Sequence, residues 1–131
     1  MDSSALGGLG NAAASSHSST QSNTQSSKRF VFGDFHLKLS ASSSRSQGAL
    51  VNLYVVPVVN NSAASVSGNC LDNYFSGSSR VDTGTSSRSI IFENIRLPPS
   101  DFVVVVKNLT GVSFGGSTEL SMSSYSYEHV E

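Results

Sequence analysis

The chain has 131 residues, a formal net charge of −1, 37% hydrophobic residues and 13% charged ones. That length fits one domain and leaves no room for a second core. Near-neutral charge excludes a protein whose main task is gripping phosphate backbones, and the surplus of Ser, Thr, Asn and Gly argues against a helical bundle.

Cys70 is the single cysteine, which excludes an intrachain disulfide and a CxxC metal site; it reads as a small buried hydrophobe. No apolar run reaches the roughly 18 residues a membrane span needs. Asp2 followed by Gly, Ala and Ser, with no early Lys or Arg, does not make a signal peptide, so a cytoplasmic origin is expected. Asn60-Asn61-Ser62 and Asn108-Leu109-Thr110 match the glycosylation triplet but read here as turn residues.

In chain order, residues 1–27 form an extended arm rich in Ser, Thr and Gln. It holds too little apolar surface to offset its ordering entropy alone. Two readings stand: a disordered tail or spacer, or an arm that gains order on a partner, with Leu6, Leu9, Ala12, Ala13 and Ala14 as anchors. The folded domain is placed at residues 28–131. Phe30 and Phe32 share one parity and Phe35, Leu37 and Leu39 the other, which predicts a bulge at Gly33-Asp34. Ser40 to Gly48 is a polar loop. Ala49 to Val59 predicts a long, mostly buried strand, with Pro57 drawing its end toward a sheet edge.

Residues 60–87 are the least regular, with Leu71, Tyr74 and Phe75 as one short apolar patch. Ile90 to Ile95 predicts a strand, stopped by Pro98 and Pro99, which lack the donor a ladder needs. Phe102 to Val106 is apolar on both parities, so it belongs mid-sheet with both faces covered. Asn108 to Gly111 closes it with turn chemistry, Gly111 being free to take positive φ. Thr118 to Tyr127 alternates strictly, with Leu120 and Met122 inward. Five long strands and one or two short ones follow, without a convincing helix. The predicted fold is all-β: an antiparallel β-sandwich or jelly-roll-like barrel with an extended N-terminal arm.

Catalytic chemistry has few candidates. Asp34 and His36 share one face of a strand, but no third ligand is predicted nearby, and an exposed edge or loop-proximal pair is the plainer reading. Asp72-Asn73 lacks the alternating carboxylates of a calcium loop, and there is no Gly-x-Ser-x-Gly elbow or phosphate-cradling loop. The expectation is no enzyme, no cofactor and no metal. Lys28-Arg29-Phe30, Arg80 and Arg88 are the only hints of nucleic-acid contact, and sparse surface cations account for them.

The stretch Phe92-Glu-Asn-Ile-Arg-Leu-Pro-Pro-Ser-Asp-Phe-Val-Val-Val-Val-Lys-Asn-Leu-Thr-Gly111 resembles a group of small structural proteins of tailed bacteriophages. Ser113 to Ser117 takes the place of that group's Ser/Gly turn, and Tyr125 and Tyr127 that of the tyrosines ending its last strand. Arg45 to Pro57, with Asn73-Tyr74 after it, is similar to the group's other strand. The resemblance implies a virion structural protein without catalytic residues. The leading expectation is a capsid decoration or cement protein, homo-oligomeric, that binds the major capsid protein or other virion proteins through its arm and strand edges. The alternatives are a tail- or fibre-associated protein, or a carbohydrate- or receptor-binding module in which Tyr54, Tyr74, Tyr125 and Tyr127 supply stacking faces. Tyr74, Tyr125 and Tyr127 are the candidate aromatic contact surface.

Overall fold

The computed structural model describes residues 1–16, 18–23, 31–60, 62–63 and 72–125. Its elements are one helical turn α1 (Ser3–Leu6) and seven strands: β1 (Phe32–Leu39), β2 (Leu50–Val59), β3 (Ser62–Ala63), β4 (Phe75–Arg80), β5 (Arg88–Arg96), β6 (Asp101–Leu109) and β7 (Glu119–Tyr125). They form two antiparallel sheets, one ordered β5-β1-β7, the other with β2 between β6 and the pair β3 and β4. Among the described residues the fold is β-rich, with five long strands and two short ones where one or two were expected. The exceptions are α1, which was not expected, and a single 3-10 turn at residues 72–74.

Alternation explains the core. Phe35, Leu37 and Leu39 of β1, Ile90 and Phe92 of β5 and Leu120 of β7 meet Val51, Leu53 and Val55 of β2 and Phe102, Val104 and Val106 of β6. The other parity of the second sheet is also apolar. Tyr54, Val56 and Val58 join Val103 and Val105 in a separate buried cluster, against which Tyr74 packs. β6 is thus covered on both faces, as its unbroken apolar run requires. Among the strands, however, it pairs with β2 alone and so stands at the edge of its sheet, not in the middle as expected; β2 is the central strand. Pro57 falls between the stretch of β2 that pairs with β4 and the stretch that pairs with β3, where no ladder bond is asked of it.

The register slip expected at Gly33-Asp34 occurs there, but β5 carries the extra residue. Gly33 faces Ile95 and Phe35 faces Phe92, so Glu93 and Asn94 together oppose Asp34. Asn94 takes φ 56°, and its N–H donates to the Asp34 carboxylate at 2.9 Å. β1 itself keeps one inward parity, and Gly33 leaves room for the Leu97 side chain. A second slip lies between β2 and β4, where Ser76 is the extra residue. Its hydroxyl accepts the N–H of Val55 at 3.1 Å, as a backbone carbonyl would.

The N-terminal segment is held by its own chain, which corrects the expectation of a partner-held arm; the boundary expected at residues 27 and 28 lies outside the described residues. Leu6 is fully buried in the main core and Leu9 packs against it. A methyl group at Gly7 would collide with the carbonyls of Ser3 and Gly116, so α1 lies hard against the turn before β7. Residues 12–16 and 18–23 then run antiparallel along the outer edge of β6. The N–H groups of Ala12, Ser15, Ser18 and Gln21 donate to the carbonyls of Asn108, Val106, Val104 and Phe102.

Three residues of the segment therefore match two of the strand, a contraction to about 2.3 Å per residue against ~3.4 Å in a regular strand. In return, the N–H groups of Asn108 and Phe102 reach the carbonyls of Ala13 and Gln21. Those of Val106 and Val104 reach the hydroxyls of Ser15 at 3.0 Å and Ser18 at 2.9 Å. Each hydroxyl in turn donates a hydrogen bond to the next carbonyl, of Ser16 or Ser19.

This arrangement sets the cost of losing a serine. Ser15→Ala strands the buried Val106 N–H and should destabilise the chain by about 1–3 kcal/mol, with Ser18→Ala somewhat below that. Ser16→Ala and Ser19→Ala, at exposed side chains, should stay within ~0.5 kcal/mol. Urea unfolding midpoints of the four variants check the contrast.

Candidate functional site

The two ends of the molecule differ in chemistry. At one end lie the start of β1, the end of β2, the start of β4 and the β5–β6 corner. Pro98 and Pro99 make that corner. The Asn23 side chain braces it by donating to the Pro98 carbonyl at 2.7 Å, while the Asn23 N–H donates to the Asp101 carboxylate at 3.0 Å. Leu97 hangs its N–H on the Val31 carbonyl at 2.8 Å. Three large apolar residues stand out of the surface here: Val31, 41% exposed, Phe75, 54%, and Val59, 60%.

Between β4 and the corner runs a shallow groove of about 330 Å³, floored by Val55 and Leu97 and walled by Pro57, Tyr74, Pro98 and Pro99, with Phe75. Asn73 and Arg96 give it a polar rim. Phe75 stands edge-on to Tyr54 with ring centroids 5.9 Å apart, which fixes the ring while leaving its outer half in water.

The candidate contact residues divide accordingly. Tyr74 is half-buried and lines the groove. Tyr54 is packed in the second cluster and offers no face to a ligand. Tyr125 pairs its backbone with Phe32, while its side chain, like the whole of Tyr127, lies outside the described residues, as do Cys70 and Leu71. Leu6 and Leu9 are taken up by this chain's own core, so neither is an outward anchor; Ala12 and Ala14 are exposed and Ala13 half-buried. The sequence pointed to Leu71, Tyr74 and Phe75 as a patch, but Pro57, Leu97 and the two prolines join Tyr74 and Phe75 through the β2–β4 and β2–β6 pairings.

Asp34 and His36 do share a face, though on the middle strand of their sheet and not at an edge, since β1 pairs with both β5 and β7. Asp34 is engaged by Asn94. His36 lies opposite Ile91, which is 58% exposed, and its Nε2 is enclosed without a hydrogen bond. Among the described residues no three His, Cys, Asp or Glu side chains gather as a metal site, and no helix is long and apolar enough to cross a membrane.

The opposite end is tied by polar side chains. Buried Arg45 donates from Nε to the Asp82 carbonyl at 2.9 Å, and from Nη2 to the Asp82 carboxylate at 2.7 Å and the Ser86 carbonyl at 3.0 Å. Arg88 takes the other carboxylate oxygen at 2.6 Å. Asn108, also buried, donates to the carbonyls of Leu9 and Val112 and accepts from the N–H and hydroxyl of Thr110. Asn108 itself is a strand residue of β6, not a turn residue as expected, and it is its side chain that organises the turn that follows. Gly111 follows at φ 88°, as expected for it. Sequence reading missed the Arg45–Asp82 pair because 37 residues separate its members.

No protein-family model, no curated protein and no solved structure matches this chain.

The Asp82 carboxyl is held at about 2, below its ordinary 3.8, first by the hydrogen bond from Arg45 and then by that from Arg88. A depressed carboxyl stabilises the fold above its unfolded pKa and ceases to do so as pH falls through the folded one. The unfolding midpoint should therefore fall between about pH 4 and about pH 2. Asp82→Asn should lower the midpoint at neutral pH and flatten that part of the profile, as denaturation series at four pH values would show.

Proposed function

We propose that this chain is a virion structural protein of the bacteriophage type, a sandwich- or jelly-roll-like module that decorates or cements a head lattice. The observation carrying this reading is the contrast between the two ends. One is closed by hydrogen bonds; the other presents Val31, Val59 and Phe75 around an apolar groove. Apolar side chains held rigidly on strand ends are suited to binding a surface without performing chemistry on it. The resemblance of residues 92–111 to small phage structural proteins points the same way. In this reading the groove end, and not the N-terminal segment, makes the attachment to the major capsid protein or another virion subunit. A subunit that binds the assembled shell in preference to free subunits stabilises it by mass action, and many copies compensate for a modest single contact.

A second reading draws on one feature of the same groove. Tyr74 and Phe75 beside Asn73 and Arg96 combine aromatic faces with a polar rim, the combination a carbohydrate-binding module uses.

An epitope-tagged chain produced during particle assembly is expected in density-purified particles. Phe75→Ser combined with Val59→Ser should reduce its recovery there at least tenfold while leaving the thermal midpoint within a few degrees. A tagged wild-type chain found only outside particles would overturn the virion reading. Glycan-array binding by the isolated chain, abolished by the same substitutions, would establish the second.

A further inference from the structure

The outer edge of β7 is built like a half-finished ladder. Leu120 exchanges both backbone bonds with Met1: its N–H donates to the Met1 carbonyl at 2.7 Å, and the Met1 amino group donates to its carbonyl at 2.8 Å. Residues of the same parity in a strand turn their backbone groups the same way. Met122 and Ser124 therefore direct N–H and C=O outward, away from β1, where no described residue pairs with them.

Beside this edge the two sheets part around a slot of about 140 Å³, lined by Met1, Phe35, Val104, Leu120 and Met122, with Ser18 and Gln21 at its polar side. An apolar void of about 150 Å³ accepts a benzene-sized group.

We propose that this edge binds an extended segment of another protein subunit, added to the β5-β1-β7 sheet as a fourth strand. Its backbone would pair with Met122 and Ser124, and one valine- or leucine-sized side chain would enter the slot. The occupant follows from complementarity. Outward N–H and C=O groups in strand spacing are matched by another strand, and an inward side chain on an added strand points between the sheets, where the slot lies. Met1 shows the seating already, as a single residue paired on the neighbouring position. Ser124 and its partner Gly33 lie toward the groove end, so the edge continues the surface assigned above to attachment. To that extent the inference rests on that reading, and names the kind of segment the attachment takes.

The test uses the full-length chain and a nine-residue peptide, Lys-Thr-Val-Thr-Val-Thr-Val-Thr-Lys, followed by amide NMR. Saturable shifts centred on residues 120–125, with slowed exchange of the Met122 and Ser124 amides, are expected. The same peptide N-methylated at its central valine should bind at least tenfold more weakly to the unaltered chain, and Ser124→Pro should have a like effect with the native peptide. No shift at millimolar peptide, or binding indifferent to N-methylation, overturns the proposal. Neither outcome touches the virion reading, which stands or falls on recovery in particles.

Discussion

The outer edge of β6 is the constraint around which this molecule is arranged. A run of four valines flanked by Phe102 makes the strand apolar on both faces, and such a strand is stable only when both faces and both edges are covered. β2 supplies one edge through nine paired positions. The other is closed by a segment that contains hardly any strand-forming residues. What makes it adequate is the serine hydroxyl, which accepts from a strand N–H and donates to the next carbonyl, so that three compact residues do the pairing of two extended ones.

The same substitution of a short side chain for a carbonyl recurs through the fold. Ser76 answers Val55 across a register slip, Asp34 answers Asn94 across another, and Thr118 accepts the Ser40 N–H. Asn11 accepts from Gly111, and Asn108 organises the turn beyond β6. Buried backbone donors demand partners. A chain whose strands meet irregularly must find them among side chains short enough to reach. The abundance of Ser, Thr and Asn is then a requirement of the fold as well as a property of its surface.

Much of the body was legible because it depends on local pattern. The alternation that turns Leu120 and Met122 inward, the two-sided apolarity of β6, the stop at Pro98-Pro99 and the positive φ of Gly111 all depend on neighbours in sequence. The N-terminal segment was not legible by the same route. Hydrophobic periodicity sees apolar side chains, whereas this segment is held by hydroxyls whose partners lie some 90 residues away. One trace was present: Ser15-Ser16 and Ser18-Ser19 repeat every third residue, the spacing the contracted pairing needs. The groove was half legible, since Tyr74 and Phe75 adjoin in sequence but their walls come from other strands.

Chain order gives the N-terminal segment a further consequence. Translation delivers residues 12–23 long before Val103 to Val106, so the cover is already present when the aggregation-prone valine run emerges. Had the same cover been placed at the far end of the chain, that run would have waited uncovered for every residue between them to be added. An early, highly soluble stretch of serines that needs a distant strand to shape it acts as a built-in escort, protecting the nascent sheet for as long as it takes the two to meet.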